Sequence, residues 1–88
     1  MRNQWFVIVN PCSGSGKGAK DWPRIASLLG DSGIPFEAVF TQRPNHATEL
    51  AGQAVRKGWH RLIAVGGDGT VNEVVNGIFG QKATATRE

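Results

Sequence analysis

Apolar residues in this chain fall into short blocks whose spacing alternates between two periods. Trp5-Phe6-Val7-Ile8-Val9 is a continuous aromatic and β-branched run, the pattern of a buried strand. Trp22, Ile25, Ala26 and Leu29 then recur at i, i+3, i+4 and i+7, one face of a helix. Asp21 is placed to cap that helix, with Pro23 tolerated in its first turn, and Gly30 and Gly33 end it. Pro35 to Phe40 reads as a second strand closing near Thr41. Ala47, Leu50, Ala51, Ala54 and Val55 repeat at helical spacing, with Gly58 as the stop. Leu62 to Val65 is a third strand. Thr70 and Glu73 have capping-box spacing, so a third helix is expected from there, over Val71 to Ile78 and ending near Gly80. Gln81 to Glu88 carry little pattern.

A β-α-β-α-β-α order predicts an α/β fold: a parallel sheet with right-handed crossovers and helices on both faces, three layers in all. Three strands are few for such a sheet, because parallel sheets are normally covered on both faces. The chain is therefore expected to be the first part of a larger α/β domain.

Two glycine-rich segments follow strands, and in parallel sheets ligands gather beyond the carboxyl ends of the strands. The first is Asn10-Pro11-Cys12-Ser13-Gly14-Ser15-Gly16-Lys17-Gly18, with backbone donors, two serine hydroxyls and a lysine. It misses the Walker pattern twice: Pro11 stands at the first glycine and Gly18 at the hydroxyl position. Gly14, Gly16 and Ala19 meet the dinucleotide pattern literally, but Asn10 to Ser13 separate them from the strand, and no acid closes the second strand. The second segment is Gly66-Gly67-Asp68-Gly69-Thr70, leading into a helix. Glycines there admit positive φ and close approach of a ligand, an expectation that extends to Gly69. A helix N-terminus offers free N–H groups and partial positive charge to phosphate. Asp68 adds a carboxylate where a nucleotide's Mg²⁺ would sit; its bland alternative is accepting backbone bonds in a tight turn. If the first strand lies between the other two, both loops flank one crevice, and Thr41 lies on the same edge.

Composition narrows the partners. The 88 residues carry a net charge of +3, but Lys and Arg are scattered, with no run longer than Arg56-Lys57, so no nucleic-acid partner is expected. Cys12 is the only cysteine, which fits a reducing cytoplasm, and the two histidines give no zinc spacing. His46 reads as a helix-start residue rather than a catalytic one. No apolar run approaches a membrane span. Trp5, Trp22 and Trp59 are read as packing against the sheet.

In combination, Asn-Pro-x-Ser-Gly after the first strand, Thr41, His46-Ala47-x-Glu49-Leu50-Ala51, Gly-Gly-Asp-Gly-Thr-x-Asn-Glu-Val and Asn76-Gly77 resemble the diacylglycerol kinase catalytic domain, up to about Ile78. Gly-Gly-Asp-Gly alone is shared with NAD kinases and phosphofructokinases. The resemblance implies the N-terminal part of a NAD kinase/diacylglycerol kinase-like domain, with ATP and Mg²⁺ used to phosphorylate a diacylglycerol-like lipid hydroxyl. It implies nucleotide contacts at Asn10, Pro11, Ser13, Gly14, Thr41, Gly66, Gly67, Asp68, Gly69, Thr70, Asn72 and Glu73, with Asp68 orienting metal and phosphate. The family's lipid surface, structural metal ligands and base belong to later segments and a β-rich second domain, so residues 1–88 are expected to be inactive alone. A cytoplasmic protein that could work at a membrane surface is expected, and the uncovered sheet edge predicts homodimerisation, edge pairing or aggregation at high concentration. A NAD kinase-like enzyme and a non-catalytic nucleotide-binding module are the alternatives.

Overall fold

The computed structural model describes residues 4–12 and 16–86. The elements are β1 (Trp5–Val9), α1 (Lys17–Asp31), β2 (Phe36–Phe40), α2 (His46–Arg56), β3 (Leu62–Val65) and α3 (Asp68–Thr86). All strands run parallel in the order β2-β1-β3, with Val7 opposite Ala38 on one side and Ile63 on the other.

Strand β1 is central and covered twice, which is why its sequence is unbroken hydrophobic rather than alternating. Phe6 and Ile8 face a cluster of Ala47, Ala51, Ala54, Trp59 and Val74 from the α2 and α3 side. Val7 and Val9 face the other way with Val65, against Trp22, Ile25 and Leu29 of α1. The chain steps from β1 to β2 in one direction and from β2 past β1 to β3 in the other. Right-handed crossovers then require α1 and α2 to lie on opposite faces. The expected α/β/α arrangement is what forms.

Helices α1 and α2 close in the same way. Gly58 takes φ 97°, donates to the Val55 carbonyl, and lets the Trp59 N–H reach the Ala54 carbonyl at 3.0 Å. That left-handed step turns the chain back and sets the Trp59 ring 5.0 Å from Phe6. Gly33 ends α1 by the same pair of bonds, through Gly30 and Leu29.

Helix starts differ from the expectation. Helix α1 begins at Lys17, directly after Gly16 in the left-handed region, so Asp21 is inside it and pairs loosely with Arg24 at 3.8 Å. Pro23 is therefore an interior proline, on the exposed side, where the missing N–H costs least. Gly30 lies within α1 rather than ending it. Helix α3 begins at Asp68, before Thr70, and continues past Gly80 to Thr86. Its last turns run through residues such as Ala83 that favour helix.

Helices α2 and α3 pack closely because small residues line their seam. A Cβ on Gly77 would collide with the Thr48 carbonyl and lie 2.9 Å from Ala51 Cβ. Thr48 Oγ1 donates across the seam to the Glu73 carbonyl at 2.9 Å. On the opposite side of α3, Val71, Val75 and Phe79 form an exposed apolar stripe at four-residue spacing.

Gly77→Ala should therefore destabilise the fold by about 1–3 kcal/mol, since the helices must part to admit the methyl group. Gly30→Ala, where an added Cβ meets nothing within 4 Å, should stabilise it by up to about 1 kcal/mol. Chemical denaturation of the two variants checks the opposite signs.

Candidate functional site

Three loops leave the carboxyl edge of the sheet. The first is anchored at Asn10, whose N–H donates to the Val65 carbonyl at 2.9 Å, tying the ends of β1 and β3 together. Asn10 Oδ1 accepts from the Cys12 N–H at 3.1 Å, so Asn10-Pro11-Cys12 is a side-chain-stabilised turn. Gly18, in the first turn of α1, packs so closely on the Asn10 carbonyl that no Cβ fits. Ser13 and Gly14 lie outside the described residues.

The second loop follows β2. Thr41 is buried, and its N–H continues the ladder to the Val9 carbonyl at 2.8 Å. Together with Asn10, Cys12, Gln42, Arg43 and Pro44 it lines a cavity of about 320 Å³. Asn45, at the N-cap of α2, takes φ 64°, and its side chain makes no cap hydrogen bond. Instead His46 accepts the Gln42 N–H on Nδ1 at 2.9 Å. Arg43 Nη2 meets Glu49 Oε1 at 2.7 Å. That hydrogen bond, and then the charge of the same guanidinium, hold the Glu49 carboxyl below its ordinary range.

The third loop follows β3. Gly66 has φ 155°, a backbone that side-chain-bearing residues rarely adopt. The Gly67 carbonyl accepts from the N–H groups of Thr70 (3.0 Å) and Val71 (3.3 Å), which closes the first turn of α3. Gly69 is helical, not at positive φ, and an added Cβ there would meet nothing within 4 Å. The demand for positive φ falls on Gly66 instead. Asp68 and Gly69 are exposed, and the Asp68 carboxylate has no hydrogen bond or ion pair to the described residues. Among the described residues, the backbone bonds of the tight-turn alternative for Asp68 are absent.

Thr70 is only 2% exposed, yet its Oγ1 has no hydrogen-bond partner among the described residues. The capping box is not formed, because the helix starts two residues before Thr70 and leaves its hydroxyl inside the first turn. A buried hydroxyl without a partner is unusual and costly. Glu73 offers its carbonyl to α2, and Asn72 is exposed on α3. Among the described residues, no group of three or more His, Cys, Asp or Glu could hold a metal by itself.

The central position of β1, the condition the sequence left open, brings the bases of the glycine loops to neighbouring strand ends. The cavity joins Asn10 to Thr41 but does not include Pro11 or the residues from Gly66 to Glu73 in its lining. Sequence reasoning missed Cys12, Gln42, Arg43 and Pro44 as lining residues, and the part played by His46. The Pro44-Asn45 pair before a helix was the available signal, since Asn tolerates the left-handed region.

Residues 4–87 match the family described as the diacylglycerol kinase catalytic domain. The chain is 40% identical over 78 residues to a diacylglycerol kinase of Staphylococcus aureus, covering 89% of this chain and 25% of that protein. It is 35% identical over 83 residues to a ceramide kinase of Oryza sativa subsp. japonica, covering 90% of this chain and 14% of that one. A solved diacylglycerol kinase from Bacillus anthracis superposes with a TM-score of 0.71 at 28% identity, over 85% of this chain and 27% of that chain. The chain thus spans about a quarter or less of the length of these relatives.

The Arg43–Glu49 pair yields a signed pH dependence. A carboxylate depressed in the fold contributes stability above its unfolded range, and that contribution is lost as pH falls through its folded value. Arg43→Ala should raise the Glu49 midpoint toward the ordinary carboxylate value in a carboxyl ¹³C NMR titration. An unchanged midpoint would show that the pair does not persist in solution.

Proposed function

The chain belongs to the diacylglycerol kinase catalytic domain family, and from that premise we propose that it is the ATP-binding part of a lipid kinase. The reaction is transfer of the ATP γ-phosphoryl group to a lipid hydroxyl of the diacylglycerol type. The observation that carries the reading is Thr70. Its buried, unpartnered Oγ1 sits in the first turn of a helix whose N-terminal N–H groups face the carboxyl edge of the sheet. An anionic ligand would give the free N–H groups an acceptor and, with a small shift of the first turn that uncovers Oγ1, the hydroxyl as well.

In this reading the phosphates lie at the Gly66–Thr70 turn and the Asn10–Gly18 loop, while the cavity beside Thr41 takes another part of the nucleotide. Phosphoryl transfer is mostly positioning and stabilisation of charge on the transferred group. The N–H groups at the start of α3 stabilise that charge without reorganising. Gly66 lets the chain turn sharply at the strand end, and Asn10 holds the two strand ends in register. Asp68 is the residue that would hold Mg²⁺. One free, exposed carboxylate fits a hard cation that takes its other ligands from phosphate oxygens and water. When bound, the metal neutralises charge on the β- and γ-phosphates.

The lipid as acceptor is read from the relatives, whose names specify diacylglycerol and ceramide. The base and the lipid surface are assigned to the three-quarters of the relatives' length that this chain does not span. The exposed Val71–Val75–Phe79 stripe is a face that such additional structure would cover. No described helix is long and apolar enough to cross a membrane, and in this reading the lipid is met at a membrane surface.

Thr70→Val tests the reading because its two effects have opposite signs. Removing an unsatisfied buried hydroxyl should raise stability without nucleotide by about 1 kcal/mol. Losing a hydrogen bond to a charged phosphate should weaken ATP binding at least tenfold, by roughly 1.5–3 kcal/mol. Calorimetric titration and thermal melts of the complete protein measure both. A Thr70→Val protein that binds ATP like the wild type would overturn the assignment. Asp68→Ala should abolish most lipid phosphorylation, and normal turnover would remove Asp68 from the mechanism.

A further inference from the structure

The loop between β2 and α2 has an unusual internal support. Helix α2 begins without a side-chain cap hydrogen bond, and the ring of its own first residue reaches back along the loop to Gln42. The Gln42 N–H donates to His46 Nδ1 at 2.9 Å, so the neutral ring carries its proton on Nε2. The His46 N–H in turn donates to the Arg43 carbonyl at 3.2 Å. These two bonds brace Gln42 and Arg43, which with Thr41 form one wall of the 320 Å³ cavity. On the strand side, the wall is fixed by the Thr41 N–H on Val9. On the helix side, it is fixed by His46.

We propose that His46 is a positioning residue of the nucleotide site, holding the Thr41–Arg43 wall through its neutral imidazole as a hydrogen-bond acceptor. The inference rests on the nucleotide reading given above and assigns His46 no contact with substrate. It has a chemical consequence. Protonation turns Nδ1 from an acceptor into a donor, which then opposes the Gln42 N–H. Histidine is the side chain that makes this change near neutrality. The charged groups nearest the ring along the chain are Arg43 in the loop and Glu49, one turn along α2, which pair with each other. On α3, which packs against α2, the charged groups of the first two turns are Asp68 and Glu73. The wall should therefore loosen in acid, and nucleotide affinity should fall with it.

The test uses the complete protein and ATP, titrated calorimetrically at a mildly alkaline and a mildly acidic pH. Because ATP itself gains a proton over this range, His46→Asn is the reference. The Asn amide oxygen stands close to where Nδ1 stands but does not titrate. The wild type should lose affinity in acid relative to His46→Asn by roughly three- to tenfold, the ratio one ordinary hydrogen bond supplies. His46→Ala should bind weakly at both pH values. Exchange of the Gln42 amide, followed by mass spectrometry, should be faster in His46→Ala and restored in His46→Asn. Wild-type affinity in His46→Ala, or the same pH dependence in His46→Asn as in the wild type, would overturn the proposal. No ATP binding by the wild type would instead sink the nucleotide reading, and the two failures are thus distinct.

Discussion

Burial of β1 on both faces is the constraint from which the rest of the structure follows. Val7, Ile8 and Val9 are wholly inaccessible, and a strand so placed needs a neighbour on each side and a helix on each face. The order β2-β1-β3 meets the first need, and α1 opposite α2 and α3 meets the second. The same arrangement reverses the direction of the chain at β1. In open parallel sheets that reversal opens a crevice at the strand ends. Core and candidate site thus share one cause.

What the sequence made legible was whatever depends on burial. The Leu62–Val65 limits emerge from the apolar run alone, as do the helical faces of α1 and α2. The starts of α1 and α3 did not emerge. Both begin straight after glycines, Gly16 in the left-handed region and Gly67, rather than at the side-chain caps that Asp21 and Thr70 seemed built to provide. Thr70 is the instructive case. A hydroxyl at that spacing is ordinarily a cap, yet here it is buried without a partner. Local pattern and tertiary placement disagree at this residue, and such disagreements concentrate where a protein binds something.

The candidate site was legible in part, for a related reason. Glycine loops announce themselves by composition, and Thr41 by family resemblance. The bracing of the wall does not. It depends on a ring nitrogen reaching four residues back across a left-handed Asn45, a geometry without a composition signature. His46 reads along the chain as a residue that merely starts a helix. Glu49 reads as an ordinary first-turn acid, although its carboxylate is committed to Arg43 at the cavity's rim.

The seam between α2 and α3 carries a mechanical consequence. Gly77 lets the helices touch, and Thr48 bolts them together through Glu73. Two of the three loops at the crevice, those after β2 and β3, therefore ride on one slab. The third rides with α1 on the far side of the sheet, clasped to it by Gly18 against Asn10. Among the described residues, what joins the slab to the α1 layer at this edge is main-chain pairing alone, the Asn10 N–H on the Val65 carbonyl and the Thr41 N–H on the Val9 carbonyl.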